Sequence, residues 1–180
     1  MATASSSTSS VPHASRRSVV HATFRIERTY PASPAQVYHA LTDPAAKAQW
    51  FGGGSGFTEL ARSMDVRAGG RERLQGRWDR GTHPPASGEA AQPASVVSTF
   101  EAVYFDVVPN ERLVYAYEMH LDQRKISVSL ATLELKRAGA ATRLLLTEQG
   151  AFLDGYDDGG ARERGSGQLL DALGRALEQP

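Results

Sequence analysis

One segment limits what this chain can fold into more than any other. After Asp157-Asp158-Gly159-Gly160, the residues Leu169, Leu170, Leu173 and Leu177 fall at helical spacing, and Ser166 extends that face by a turn. Gly165, Gly167 and Gly174 interrupt the same stretch. Each glycine costs a helix about 1 kcal/mol relative to Ala. Propensity therefore does not hold this helix. Its leucine face must pack against a large apolar surface, and the rest of the chain supplies mainly strands.

Those strands read clearly. From Val19 to Tyr30 the pattern alternates, with Val20, Ala22, Phe24 and Ile26 opposed to His21, Thr23, Arg25 and Glu27. Pro31, Ser33 and Pro34 stop it. Ser33 is an N-cap with Pro34 at the first helical position, and Pro34–Leu41 forms a short helix. Asp43 and Pro44 repeat the signal, so a second short helix runs to Trp50-Phe51 and ends at Gly52-Gly53-Gly54. Met64–Arg67 and Arg71–Trp78 form a hairpin around Gly69-Gly70. Asp79–Ser95, with Pro84, Pro85 and Pro93, reads as a long mobile loop. Val96–Val108, Arg112–Leu121, Ile126–Lys136 and Thr142–Gly150 complete an antiparallel meander with short polar turns. The expected class is α+β. A single helix does not cover so long a sheet, so either the sheet curls tightly or a gap remains, and an aromatic-lined gap is a ligand pocket.

The chain of 180 residues fits one domain at 19–180 after a low-complexity tail at 1–18. That Ser/Thr/Ala-rich tail, with Arg16-Arg17 at its end, reads as disordered, a transit peptide being the alternative. There is no cysteine, which excludes disulfides, thiolate zinc sites and thiol catalysis and favours a cytoplasmic location. The 20 basic and 20 acidic residues balance, so charge directs the protein neither to nucleic acid nor to an anionic membrane. No run approaches the roughly 20 apolar residues of a membrane span. The five histidines are scattered without ligand spacing, so neither a metal nor another cofactor is expected. Gly52–Gly56 lacks the Gly-Lys-Ser/Thr of a phosphate loop, and there is no G-x-S-x-G elbow.

Four segments in order resemble the START-like, or SRPBCC, superfamily, in the branch similar to the activator of the ninety-kilodalton heat-shock chaperone's ATPase. They are Thr29–Phe51 (TYPASPAQVYHALTDPAAKAQWF), Asp65–Gly70 (DVRAGG), Pro109–Tyr115 (PNERLVY) and Thr142–Phe152 (TRLLLTEQGAF). The resemblance covers about Val19 to Glu178. It implies the helix-grip fold, in which a curved seven-stranded antiparallel sheet wraps a long C-terminal helix. The chain departs from the pattern at Arg164-Gly165-Ser166-Gly167, where many relatives carry Gly-Trp, and at Glu148, where many carry His. The Asp79–Ser95 loop is also longer than usual.

Alternation places Leu113, Tyr115, Tyr117 and Met119 on one strand face, suited to a pocket wall or to plain core. The expected pocket has walls from Phe100, Tyr104, Tyr115, Tyr117, Met119 and Leu146. Leu169, Leu173 and Leu177 form its roof, and its mouth lies near Trp50, Phe51 and Phe152. Glu148 shares a face with Leu144 and Leu146. It either ends an apolar wall with a raised pKa or faces solvent at a strand end. Asp154, Asp157 and Asp158 are read as turn and helix N-terminal residues. The expected partner is a small apolar ligand such as a lipid, polyketide or aromatic metabolite, with a homodimer as the second choice. The resemblance adds two alternatives. One is a cyclase-like enzyme using Tyr115, Tyr117, Glu148 and Arg73, and the other, less favoured, is chaperone activation.

Overall fold

The computed structural model describes residues 17–52, 54–79 and 95–179. The expected tail and long loop therefore lie outside the described residues, except at their margins. The element order is β1 (Val19–Tyr30), α1 (Pro34–Thr42), α2 (Pro44–Ala48), β2 (Phe57–Met64), β3 (Arg71–Asp79), β4 (Ser95–Val108), β5 (Arg112–Leu121), β6 (Arg124–Ala138), β7 (Ala141–Leu153) and α3 (Gly159–Leu177). The strands form one seven-stranded open sheet in the order β1-β7-β6-β5-β4-β3-β2. Every neighbouring pair is antiparallel. This is the α+β helix-grip arrangement. The chain enters at one edge, crosses through α1 and α2 to the other, and returns strand by strand.

Local chemistry explains the crossing. Ser33 and Gln36 close a reciprocal capping box: the Gln36 N–H donates to Ser33 Oγ at 3.3 Å and the Ser33 N–H donates to Gln36 Oε1 at 2.9 Å. Asp43 ends α1 and starts α2, accepting from the Ala46 N–H at 2.8 Å. One residue thus fixes both helices.

One strand differs from expectation. The strand placed at Met64–Arg67 is Phe57–Met64, and Asp65–Gly70 is the turn. A register shift between Glu59 and Ala61 breaks the period of two, which hides this strand in the sequence. The turn is held at both ends: the Asp65 N–H donates to the Arg71 carbonyl and the Gly69 N–H to the Tyr104 carbonyl, each at 2.8 Å. A Cβ at Gly70 would lie 2.1 Å from the Asp65 carbonyl oxygen, so only glycine closes it.

Helix α3 lies on the inner face of the sheet, against β1 and α1. Leu170 and Leu173 are buried, while Leu169, Leu177, Ala172 and Ala176 pack partly against the core. The Tyr30 hydroxyl of β1 donates to the Leu170 carbonyl at 2.8 Å. Gly174 lies where a Cβ would come 3.2 Å from the Tyr30 ring, so this glycine lets helix and strand approach. The intrinsic weakness of the helix is thus tied to the packing that compensates it.

Candidate functional site

The inner face carries a row of aromatic rings on β4 and β5. The register sets Phe100 opposite Met119 and Tyr104 opposite Tyr115. Phe51 meets Phe100 edge-on at 5.2 Å, Phe100 meets Tyr117 at 5.0 Å, and Tyr104 meets Tyr115 at 5.6 Å. Met119 packs against the same cluster, and Leu144 and Leu146 flank it from β7. The wall read from alternation is therefore brought together on one face.

A carboxylate lies at each side of this row. Glu148, on β7, is 2 % exposed and so does not face solvent. The Tyr117 hydroxyl donates to its Oε1 at 2.5 Å. Arg162, from the first turn of α3, donates from Nη1 to the Tyr117 hydroxyl oxygen and from Nη2 to Ser127 Oγ, both at 2.7 Å. Arg162 also pairs with Asp157, and its Nη1 is 3.7 Å from Glu148 Oε1. Ser166 Oγ, one turn on, is 3.5 Å from Glu148 Oε2. Burial raises the Glu148 pKa, and Tyr117, Arg162 and the nearby serines only partly offset it. The Tyr117 pKa is also raised, chiefly by burial, against the opposing charge of Arg162. Burial works to lower the Arg162 pKa, but Tyr117, Asp157 and Glu148 together hold it above its ordinary value.

The second carboxylate is Glu72 on β3, also 2 % exposed. Lys47 of α2 donates to its Oε2 at 2.6 Å, and the Tyr104 hydroxyl donates to the same oxygen at 2.5 Å. Its Oε1 is buried and has no hydrogen-bond partner among the described residues. Burial lowers the Lys47 pKa against the pull of Glu72. Between the two carboxylates stands Tyr115, whose hydroxyl, unlike those of Tyr104 and Tyr117, makes no hydrogen bond to another described residue. Burial raises its pKa well above the usual value, with Tyr117, Glu148 and Glu72 adding to the effect.

The other expected site residues separate. Trp50 is buried, donates from Nε1 to the Ala40 carbonyl at 2.9 Å, and lines a recess of about 190 Å³ with Ala172, Arg175 and Ala176. Phe152 is buried at the opposite end of α3, with the Arg162 guanidinium 5.6 Å from its ring centroid. About 20 Å of helix separates these two ends, so Trp50 and Phe152 do not share one mouth. Arg73 lies on the outer face, paired with Glu101 at 2.9 Å, because it alternates with the inward Glu72 and Leu74. It takes no part in the inner site.

Asp158 caps α3 and Asp154 accepts from the Ser18 N–H, as turn residues do. Asp157 does more, because it anchors Arg162. Sequence reasoning missed Glu72, Lys47, Arg162 and Ser127. On the outer face Glu101, Glu118 and His120 bring possible metal-ligand atoms within 4.8 Å of one another, a set assembled by strand pairing and invisible to linear spacing. Arg73 and Lys125 already pair with those carboxylates, Lys125 at 2.6 Å from Glu118.

A C-terminal helix laid across a seven-stranded antiparallel sheet, with two short helices between the first two strands, is the fold of a START-like helix-grip protein. Residues 31–178 match the family described as activator of Hsp90 ATPase homolog 1-like protein, and the chain belongs to that family. It is similar to a solved protein from Rhizobium leguminosarum, at 38 % identity and a TM-score of 0.78 over 92 % of this chain and 99 % of that one. It is likewise similar to Mll3558 from Rhizobium loti, at 39 % identity and a TM-score of 0.72 over 88 % of this chain and 99 % of that one. DynU16, a protein of the dynemicin biosynthetic locus, shares the fold at 21 % identity and a TM-score of 0.55, over 87 % of this chain and 47 % of that one. No curated protein matches. Among the described residues no helix is long and apolar enough to cross a membrane.

Proposed function

We propose that this protein binds a small, largely apolar molecule, such as a lipid, polyketide or aromatic metabolite, between the inner face of the sheet and α3. Phe100, Tyr104, Tyr115, Tyr117, Met119 and Leu146 form its wall, with Glu148 at the edge. Leu169, Leu173 and Leu177 form its roof.

One observation carries this reading: two buried carboxylates, Glu72 and Glu148, stand beside a row of aromatic rings, each bonded to a tyrosine of that row. Burying a charge costs free energy even when it is paired, and a well-packed apolar substitute is often as stable. A core built only for stability has no use for two such groups. A ligand site has, since a few placed polar groups in an apolar wall orient what binds. The superfamily likeness points the same way. The test is a thermal-shift series with fatty acids, flavonoids and aromatic polyketides, with native mass spectrometry of the freshly purified protein. A ligand at a hundred times its Kd raises Tm by about 5–10 °C for a chain this size. No shift with any class, and no bound mass, rejects the reading.

A second reading is a cyclase-like enzyme in the same space. Its specific support is the Tyr117–Glu148–Arg162 group, where a carboxyl with a raised pKa touches a phenol held by a guanidinium. Such a group can pass a proton to or from a bound carbonyl compound. The fold shared with a dynemicin-locus protein agrees with it. Turnover of a poly-β-ketone thioester that disappears in Glu148→Gln would establish it. Activation of a chaperone ATPase is suggested by the family name alone, and a pull-down would test it.

A further inference from the structure

We propose, building on the ligand-binding reading above, that the inner face selects a neutral hydroxyl, phenolic or alcoholic, on its apolar ligand, with Glu72 Oε1 accepting from it and the Tyr115 hydroxyl donating to an oxygen of the same molecule.

Glu72 is 2 % exposed, and both of its visible partners, Lys47 and Tyr104, bond to Oε2. Oε1 is left buried with no donor among the described residues. A buried acceptor without a partner costs about 1–3 kcal/mol, so native proteins rarely leave one unfilled. The adjacent tyrosine tells the same story from the other side. Tyr104 and Tyr115 are cross-strand partners with rings 5.6 Å apart. Tyr104 spends its hydroxyl on Glu72, and Tyr117, next on that face of β5, spends its own on Glu148. Tyr115, between them, gives its hydroxyl to no other described residue, whereas its two neighbours do. The row therefore offers an open acceptor at Glu72 and an open donor at Tyr115, and the Ser129 Oγ beside Tyr117 is a further buried hydroxyl without a partner among the described residues.

Charge narrows the ligand further. Lys47 neutralises Glu72, and Arg162 is already shared between Asp157 and the Tyr117–Glu148 pair. Both cations that touch the tyrosine row are thus engaged by protein carboxylates, and Arg62 near Lys47 bonds Glu59 and the Phe51 carbonyl through Nη2. A carboxylate or a ketone also has no proton to give to Oε1. A hydroxyl both donates and accepts, and it brings no charge to be desolvated.

The test uses three probes with one ring system: 2-naphthol, which donates and accepts; naphthalene, which does neither; and 2-naphthoate, which only accepts. Isothermal titration with the full chain should give 2-naphthol a Kd about tenfold below the other two. Tyr115→Phe removes only the unspent hydroxyl, so its fold is preserved, and the gap should shrink several-fold. The paired change Lys47→Met with Glu72→Leu removes the acceptor without stranding a charge, and the gap should vanish. Equal affinities of the wild-type protein for all three probes would overturn the proposal while leaving ligand binding intact, with a water then completing Oε1. A gap unchanged in Tyr115→Phe would also overturn it. Failure of all three probes to bind would overturn the proposal together with the reading it rests on for aromatic ligands.

Discussion

Tyr117 and Glu148 lie on strands separated by β6, yet the tyrosine hydroxyl donates to the carboxylate at 2.5 Å, bridging the inner face over a small residue, Ser129. Arg162 then ties this pair to the first turn of α3. The contact thus joins sheet and helix by a polar link inside an apolar layer.

The Glu148 carboxyl has a pKa raised above the ordinary 4.5 by burial. The folded state therefore holds its proton more tightly than the unfolded state does. Stability from this group is full below about pH 4.5, the unfolded value, and is lost as pH rises through the raised folded value. Glu148→Gln removes that loss. The difference in Tm, variant minus wild type, should increase from pH 4 to pH 7 in a thermal-melt series. A flat or falling difference contradicts the placement of Glu148.

Lys47→Met leaves the buried Glu72 charge with only the Tyr104 hydroxyl. Breaking one side of a buried pair costs about 3–5 kcal/mol. Urea unfolding should show a loss of that size, and Lys47→Met combined with Glu72→Leu should recover most of it. No recovery would mean that the cost lies in the packing of α2.

Leu173 is 0 % exposed and lies in the C-terminal half of α3, packed in the core. Leu173→Ala should cost about 2–5 kcal/mol by chemical denaturation. A Leu177→Ala change, at a partly buried position, should cost clearly less.

Gly70→Ala should destabilise strongly, because the new methyl would meet the Asp65 backbone carbonyl at 2.1 Å and backbone does not yield. Gly139→Ala, in the β6–β7 turn with open space around it, carries only the strain of its φ of +64°. Circular-dichroism melts of the two variants should rank them in that order.

Much of this was legible in the chain. The first strand has the bounds its alternation gives, Val19–Tyr30, and the paired Ser33 and Asp43 caps locate both short helices. The β2 strand was not legible, because its bulge cancels the alternation. Of the site, the tyrosine row followed from period two, whereas Glu148 read equally well as a buried or a solvated group. Arg162 lies four residues before Ser166 on the helix stripe, and Glu72 shares parity with Leu74. A charged residue at such a position reads as solvated until its partner from another element is known. Lys47 lies in a five-residue helix with no stripe to place it, so only the tertiary fold reveals it.

The central claim is that the ligand site is the inner face between sheet and helix. The direct measurement is amide and methyl chemical-shift mapping of the isotope-labelled protein titrated with 2-naphthol. The account predicts saturable shifts at Tyr115, Tyr117, Leu146 and Leu173. Shifts confined instead to Val128, Leu130 and Ala151, which line a recess of about 390 Å³ on the outer face, would contradict it.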